Sequence, residues 1–193
     1  MNKRIQMSAI AIAMVAASGS AFAADQGAFF INGNLGQSHF HSRYYTDHTG
    51  TSSAERVGYA WNLGSGAGGL GVEAGYVNLG RAGVSAYDGA YSASAKLSGP
   101  VVGANYKYTF NNKMFVSVRA GWFRSKFDAK VSGIGSQSFS GNGAYSGVGV
   151  GYDVTPHFSL GVNFDEYHGR ATMYGTKAKQ AVSSLSGFAE YRF

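Results

Sequence analysis

Eight segments of this chain alternate apolar residues with polar residues or glycine at every second position. A period of two marks a β-strand whose faces meet different surroundings, because successive side chains point to opposite sides. Phe29, Ile31, Gly33 and Leu35 alternate with Phe30, Asn32, Asn34 and Gly36. Val57, Tyr59, Trp61 and Leu63 alternate with Arg56, Gly58, Ala60 and Asn62. Leu70, Val72, Ala74 and Tyr76 stand against Gly71, Glu73 and Gly75. Val102, Ala104, Tyr106 and Tyr108 stand against Gly103, Asn105 and Lys107. The fifth segment sets Met114, Val116, Val118, Ala120 and Trp122 against Phe115, Ser117, Arg119, Gly121 and Phe123. Val148, Val150 and Tyr152 then alternate with Gly147, Gly149, Gly151 and Asp153. Phe158, Leu160, Val162 and Phe164 alternate with Ser159, Gly161, Asn163 and Asp165. Leu185, Gly187, Ala189, Tyr191 and Phe193 close the series against Ser184, Ser186, Phe188, Glu190 and Arg192.

Such a pattern fits a soluble sandwich with its apolar faces inward, or a barrel with its apolar face in lipid. Three features favour lipid. Charged residues are only 13% of the chain, against about a quarter in soluble domains. The connections alternate in length: those near 39–54, 81–92, 126–143 and 168–182 are long and polar, those near 65–68, 110–113 and 154–157 short. Membrane barrels have long external loops and short periplasmic turns, which here leaves both termini in the periplasm. Finally, aromatics gather at the ends of the apolar face. Phe29, Trp61, Tyr106, Tyr108, Tyr152, Phe158, Tyr191 and Phe193 fall near the periplasmic rim, and Tyr76, Trp122 and Phe164 near the outer rim, as the girdles of a membrane barrel do. After residue 24 no run approaches the ~20 apolar residues of a membrane helix. Lipid then admits only a closed barrel, since every backbone polar group must find an internal partner. The expected fold is all-β, an eight-stranded antiparallel up-and-down transmembrane barrel.

The first residues have a different character. Lys3 and Arg4 precede an apolar stretch, Ile10 to Ala17, and Ala21-Phe22-Ala23 supplies an A-x-A cleavage site. This is the form of a secretory signal peptide. The expected division is a signal at 1–23 and a barrel domain at 24–193. Loss of Lys3 and Arg4 takes the formal charge from +6 to +4. The remaining basic residues are scattered without interleaved aromatics, which argues against nucleic acid. The chain has no cysteine, so no disulfide contributes although the exported compartment permits them.

The polar face carries Glu73, Lys107, Arg119, Asp165, Glu190 and Arg192. In a barrel these face the lumen, where they are expected to form an interior charge network. Eight strands leave an interior that side chains just fill, so a plugged core is expected, not an aqueous pore.

Several stretches resemble the transmembrane domain of outer-membrane protein A and its small eight-stranded relatives. Gly71 to Arg81 is similar to the third strand of that family and its exit, Val118-Arg119-Ala120-Gly121 to the fifth, and Gly149 to Pro156 to the sixth and its turn. The segment Leu185 to Phe193, with Tyr191 and the terminal Phe193, resembles the signal read by the barrel-assembly machinery. The resemblance implies residence in the cell outer membrane of a Gram-negative cell, in contact with lipid bilayer and lipopolysaccharide. The family's usual C-terminal peptidoglycan-binding domain is expected to be absent. Glu73 and Arg119 match two interior positions of the family's charge plug, but Gly161 and Gly151 stand where it has a base and an acid.

Other chemistries have weaker support. His39, His41 and His48 place an H-x-H pair near a third imidazole, but only Asp47 could add a carboxylate, a solvated loop is the favoured reading, and no metal is expected. His157-Phe158-Ser159 has the spacing of a lipid A deacylase pair, yet it lies at the periplasmic rim, with both side chains expected to face the lumen. Asp165, Glu166 and His168 could join a loop serine. Gly64-Ser65-Gly66-Ala67-Gly68-Gly69 has no following helix, so it reads as a turn and not a phosphate loop. No enzymatic activity and no cofactor are expected. The favoured role is a structural barrel whose external loops bind host surfaces or phage, with Arg43, Tyr44, Tyr45, Tyr87, Tyr91, Lys126, Lys130, Tyr174, Lys177 and Lys179 suited to anionic partners. A low-conductance, porin-like channel and a lipid A-modifying enzyme are the alternatives.

Overall fold

The computed structural model describes residues 27–41, 48–64, 68–86, 91–131, 135–173 and 176–193; within these, side chains at 82–86, 91–95, 127–131, 135–139, 170–173 and 176–180 are not described. Eight strands follow one another: β1 Gly27–His41, β2 Thr49–Asn62, β3 Gly69–Ala86, β4 Tyr91–Thr109, β5 Met114–Val131, β6 Gly135–Asp153, β7 Phe158–Met173 and β8 Thr176–Arg192. Each pairs antiparallel with its sequence neighbours, and β8 returns to β1 with Ile31 opposite Tyr191, closing the barrel. Closure removes both sheet edges, so no row of backbone groups is left unpaired along the wall.

The apolar face of every segment points outward. Phe29, Val57, Val102, Val118, Val148 and Leu185 are all more than half exposed. A soluble sandwich would have buried them, whereas here they form the continuous surface that hydrocarbon covers. Aromatic rings cluster at the band's lower margin: Tyr59 sits between Phe29 (4.9 Å) and Trp61 (5.1 Å), and Tyr191 meets Phe193 at 5.2 Å between centroids.

The long external loops of the sequence reading are corrected by the structure. The strands run on through most of 39–54, 81–92, 126–143 and 168–182, leaving only the stretches between His41 and Thr49, Ala86 and Tyr91, Val131 and Gly135, and Met173 and Thr176 between strands. The physical reason is that hydrophobic alternation reports a strand only where its outer face meets lipid. Beyond the bilayer both faces can be polar, and the pairing continues without the signal. β4 and β6 reach 19 residues, about twice the 9–11 that cross the hydrocarbon.

At the opposite end the connections are tight. Lys113 takes a left-handed φ of 66° in the 110–113 turn, and the Phe110 amide donates to the Met114 carbonyl at 2.8 Å. In the glycine-rich turn Leu63 N–H donates to Gly68 O at 2.9 Å. Among the described residues one bulge interrupts the ladders, between Asn78 and Arg81 opposite β4. Gly80 adopts φ 80° there and donates its amide to Asn78 Oδ1 at 3.1 Å.

The band makes a specific prediction. Val118→Arg, near mid-band on β5, should cost about 2–4 kcal/mol of unfolding free energy in phospholipid vesicles. Lys126→Ala, on the same face but above the band, should stay within about 0.5 kcal/mol of the parent. Equal effects in denaturant titrations would contradict the placement of the band.

Candidate functional site

The inward face divides the lumen into storeys. The outer storey is apolar, made by Phe40, Ala54, Val77, Leu79, Leu97, Val101, Phe123 and Val182 together with the rings of Tyr145 and Tyr167. Leu79, Leu97, Val101, Phe123 and Val182 have no measurable exposure. Phe123 packs edge-on against Tyr167 at 5.4 Å, and Tyr145 stacks on Tyr167 at 5.9 Å. The sequence reading contained a plug but not this apolar layer.

Beneath it lies a buried ion cluster centred on Arg56. Its Nε is 3.5 Å from Glu73 Oε1, and its Nη2 is 3.5 Å from Asp165 Oδ2. The same Nη2 donates to the Tyr167 hydroxyl oxygen at 2.7 Å. Tyr145 O–H donates to Glu73 Oε1 at 2.8 Å, and Asn105 Nδ2 to Glu73 Oε2 at 2.9 Å. Arg119 shares Asp165, Nε to Oδ1, at 3.6 Å. Glycine makes the space: a Cβ on Gly147 would collide with Asp165 Oδ1, and one on Gly103 with the Tyr145 hydroxyl.

The periplasmic storey holds two smaller groups. Lys107 Nζ is 2.5 Å from Asp153 Oδ1 and 3.8 Å above the centre of the Phe115 ring. Ser159 O–H donates to the same Asp153 oxygen at 2.6 Å. Arg192 Nε donates to Glu190 Oε1 at 2.9 Å. A chain of amides leads upward from there: Asn32 to Glu190 at 3.2 Å, Asn34 to Asn32, and Asn163 to Asn34 at 2.8 Å. A cavity of about 30 Å³ among Asn105, Lys107, Ser117, Arg119, Glu190 and Arg192 has room for roughly two waters.

All six charged residues singled out in the sequence thus face the lumen. Glu73, Lys107, Arg119 and Asp165 are buried, and Glu190 and Arg192 half-buried. They divide into three groups instead of one network. The central residue, Arg56, was visible on the polar face of the second segment but carried no weight there among its small neighbours. Asp153 was likewise visible. Tyr145 and Tyr167 lie beyond the hydrophobic alternation, and nothing in the local pattern marked them as strand residues facing inward.

The aromatics named for the girdle all lie on the outward face. Trp61, Tyr76, Trp122, Tyr152 and Phe164 are exposed, and Tyr106, Tyr108 and Phe158 are half-exposed. Tyr76 also donates its hydroxyl to Ser98 Oγ at 3.1 Å.

Among the described residues the hydrolase arrangements do not form. His157 does not face the lumen beside Ser159 as expected. It is exposed in the turn after β6, with Nδ1 2.9 Å from the Arg192 carbonyl and its ring stacked near Tyr191. Ser159 is buried against Asp153 and Lys107. Asp165 points inward, while Glu166 and His168 pair on the outer face at 3.5 Å. Among the external residues named for adhesion, Arg43, Tyr44, Tyr45, Tyr87 and Tyr174 lie outside the described residues. Tyr91, Lys130, Lys177 and Lys179 lie on strands with their side chains outside the description, and Lys126 is exposed on β5.

Comparison with known proteins matches residues 8–193 to the family model of the outer membrane protein beta-barrel domain. No curated protein matches the sequence. Among solved structures, Neisserial surface protein A (NspA) is similar with a TM-score of 0.62 at 15% identity, over 86% of this chain and 97% of that one. OprG of Pseudomonas aeruginosa gives 0.55 at 15%, over 88% and 97%. Ail, the attachment invasion locus protein of Yersinia pestis, solved with the heparin analogue sucrose octasulfate, gives 0.52 at 16%, over 87% and 98%. At these identities the likeness to solved structures is one of fold. The outward apolar band, the closed eight-stranded wall and a family match over nearly the whole sequence agree: the chain belongs to the outer membrane β-barrel family, and its place is the cell outer membrane.

Proposed function

We propose that this protein is a closed structural barrel whose working surface is its external end, where it meets anionic partners outside the cell. The observation that carries this reading is the double seal of the lumen, an apolar storey above a buried ion cluster. A sealed interior offers no path for solute, and the wall is committed to lipid. The strand extensions remain, and their outward face supports the chemistry proposed. Arg81, Arg124 and Lys126 are exposed there on β3 and β5, and half-exposed Lys96 on β4 stands opposite Arg81 in register. They lie just beyond Tyr76 and Trp122, a height that suits lipopolysaccharide as well as soluble anions. The structural likeness to Ail, solved with a heparin analogue, makes sulfated glycans the first host ligands to test and phage the second.

In planar bilayers the parent protein should give no steady openings, and frequent openings at low voltage would favour the channel reading. Arg56→Ala leaves Glu73 and Asp165 buried without their shared cation and should cost about 3–5 kcal/mol. Arg119→Ala should lower the unfolding temperature in detergent by less, because Arg56 still faces Asp165. Equal, negligible losses would contradict the seal.

Removing residues 42–47 and 87–90 should reduce binding to host cells while leaving the barrel's heat-modifiable gel mobility unchanged. Undiminished binding would place the contact on the strand extensions and not on these connections. Incubation with purified protein should leave the mass of lipid A unaltered.

The biogenesis reading is part of the same proposal. Cleavage after Ala23 gives a mature chain beginning at Ala24, which intact mass spectrometry of membrane-extracted protein tests directly. Tyr191, exposed on the outward face of β8, and Phe193, exposed just beyond its end, would present the signal to the barrel-assembly machinery.

A further inference from the structure

Three of the chain's five histidines come together at the external end of β1. His39 and His41 are two residues apart on β1 and therefore share a face. Both are exposed, and their ring centroids are 5.3 Å apart. His48 leads into β2. Its carbonyl accepts from the Phe40 amide at 2.9 Å, which fixes its backbone beside β1. Its ring centroid is 5.8 Å from that of His39. Metal–imidazole bonds of about 2.0–2.1 Å bring two rings on one tetrahedral ion to roughly 5 Å between centroids. The spacings of His39 from His41 and from His48 are close to that.

The surroundings favour ligation. His48 Nδ1 lies 3.3 Å from the Phe40 carbonyl oxygen. A proton donated there leaves Nε2 with its lone pair free, the outer-shell arrangement typical of metal-binding histidine. The His41 ring is 3.4 Å from Ser183 Oγ on β8. Glu166 and His168 are the nearest described ionisable groups on β7, and register places Glu166 two strands from His39 through Ser183. At about 4.7–4.9 Å per strand that sets its backbone well to the side of the three rings, and Glu166 and His168 already pair with each other at 3.5 Å. In the conformation seen, no three donors among the described residues converge on one centre, so ligation requires the rings to turn. Exposed side chains change rotamer within nanoseconds, while the strands hold the backbone positions that set the reach.

We propose that His39, His41 and His48 form a cross-strand site for one divalent transition-metal ion of the imidazole-preferring class, Zn²⁺, Cu²⁺ or Ni²⁺. Among the described residues the three donors are imidazoles, without the carboxylate oxygens that Ca²⁺ and Mg²⁺ prefer, so those ions should not compete.

The test uses the untagged mature barrel refolded in detergent without lipopolysaccharide. Calorimetry with Zn²⁺ should show one ion per barrel, unaffected by excess Mg²⁺. Electron paramagnetic resonance with Cu²⁺ should show nitrogen hyperfine structure. The His39→Ala/His41→Ala double variant and His48→Ala should each weaken binding at least about 10- to 100-fold, the cost of losing even an outer-shell partner. His168→Ala should bind as the parent does. Heat-modifiable gel mobility verifies that each variant is folded. The absence of a nitrogen-coordinated signal overturns the proposal. So does binding that survives the double variant, or an unchanged affinity in His48→Ala.

Discussion

A strand in hydrocarbon has nowhere to place an unpaired amide, and the rest of this structure follows from that constraint. Each unsatisfied backbone group would cost several kcal/mol, so β8 must return to β1, as the pairing of Ile31 with Tyr191 records. Once the sheet is closed, strand alternation gives every residue one of two environments. The outer one accepts Val, Leu and aromatic rings. The inner one receives everything that lipid rejects, including side chains too charged to leave alone in a narrow space.

The lumen answers that second demand with balance. Among the described residues eight ionisable carboxylate, ammonium and guanidinium groups face inward on the strands, four of each sign: Arg56, Lys107, Arg119 and Arg192 against Glu73, Asp153, Asp165 and Glu190. Charge equality alone would not suffice, because buried ions need hydrogen bonds as well as partners. Tyr145 and Asn105 supply them to Glu73 and Tyr167 to Arg56 Nη2 at the centre, where Asp165 Oδ1 keeps only its ion pair with Arg119, and Ser159 does so below. The aromatic hydroxyls have a second role. Their rings belong to the apolar storey above, so each tyrosine joins the polar layer to the dry one.

The membrane-spanning half of the fold was legible in the sequence because lipid imposes a strict code on it. Val116, Val118, Ala120 and Trp122 could only alternate as they do if one face were apolar throughout. That code stops at the bilayer surface. Beyond it, Ser125 is buried and Lys126 exposed, an alternation of position without the alternation of hydrophobicity that betrays it. Strand extensions therefore read as loops. The ion cluster was half legible for a related reason. Period two assigns Glu73 and Arg119 to the lumen, but which cation meets which anion depends on barrel stagger, and Arg56 reaches both Glu73 and Asp165 only because closure brings β2, β3 and β7 around one centre.

The proposed working surface depends on the extensions themselves. Paired strands that rise well beyond the bilayer cannot be explained by membrane anchoring, which β5 already achieves between Met114 and Phe123. They can be explained by a need to hold side chains rigidly at a distance from the membrane. A flexible loop that orders on binding loses conformational entropy at that moment, whereas a hydrogen-bonded ladder has lost it during folding. The bulge at Asn78–Arg81 fits this view. It inserts one extra residue where β3 leaves the outer girdle, and with Leu79 buried in the lumen and Arg81 exposed on the wall it re-aims the strand just where it leaves the apolar band.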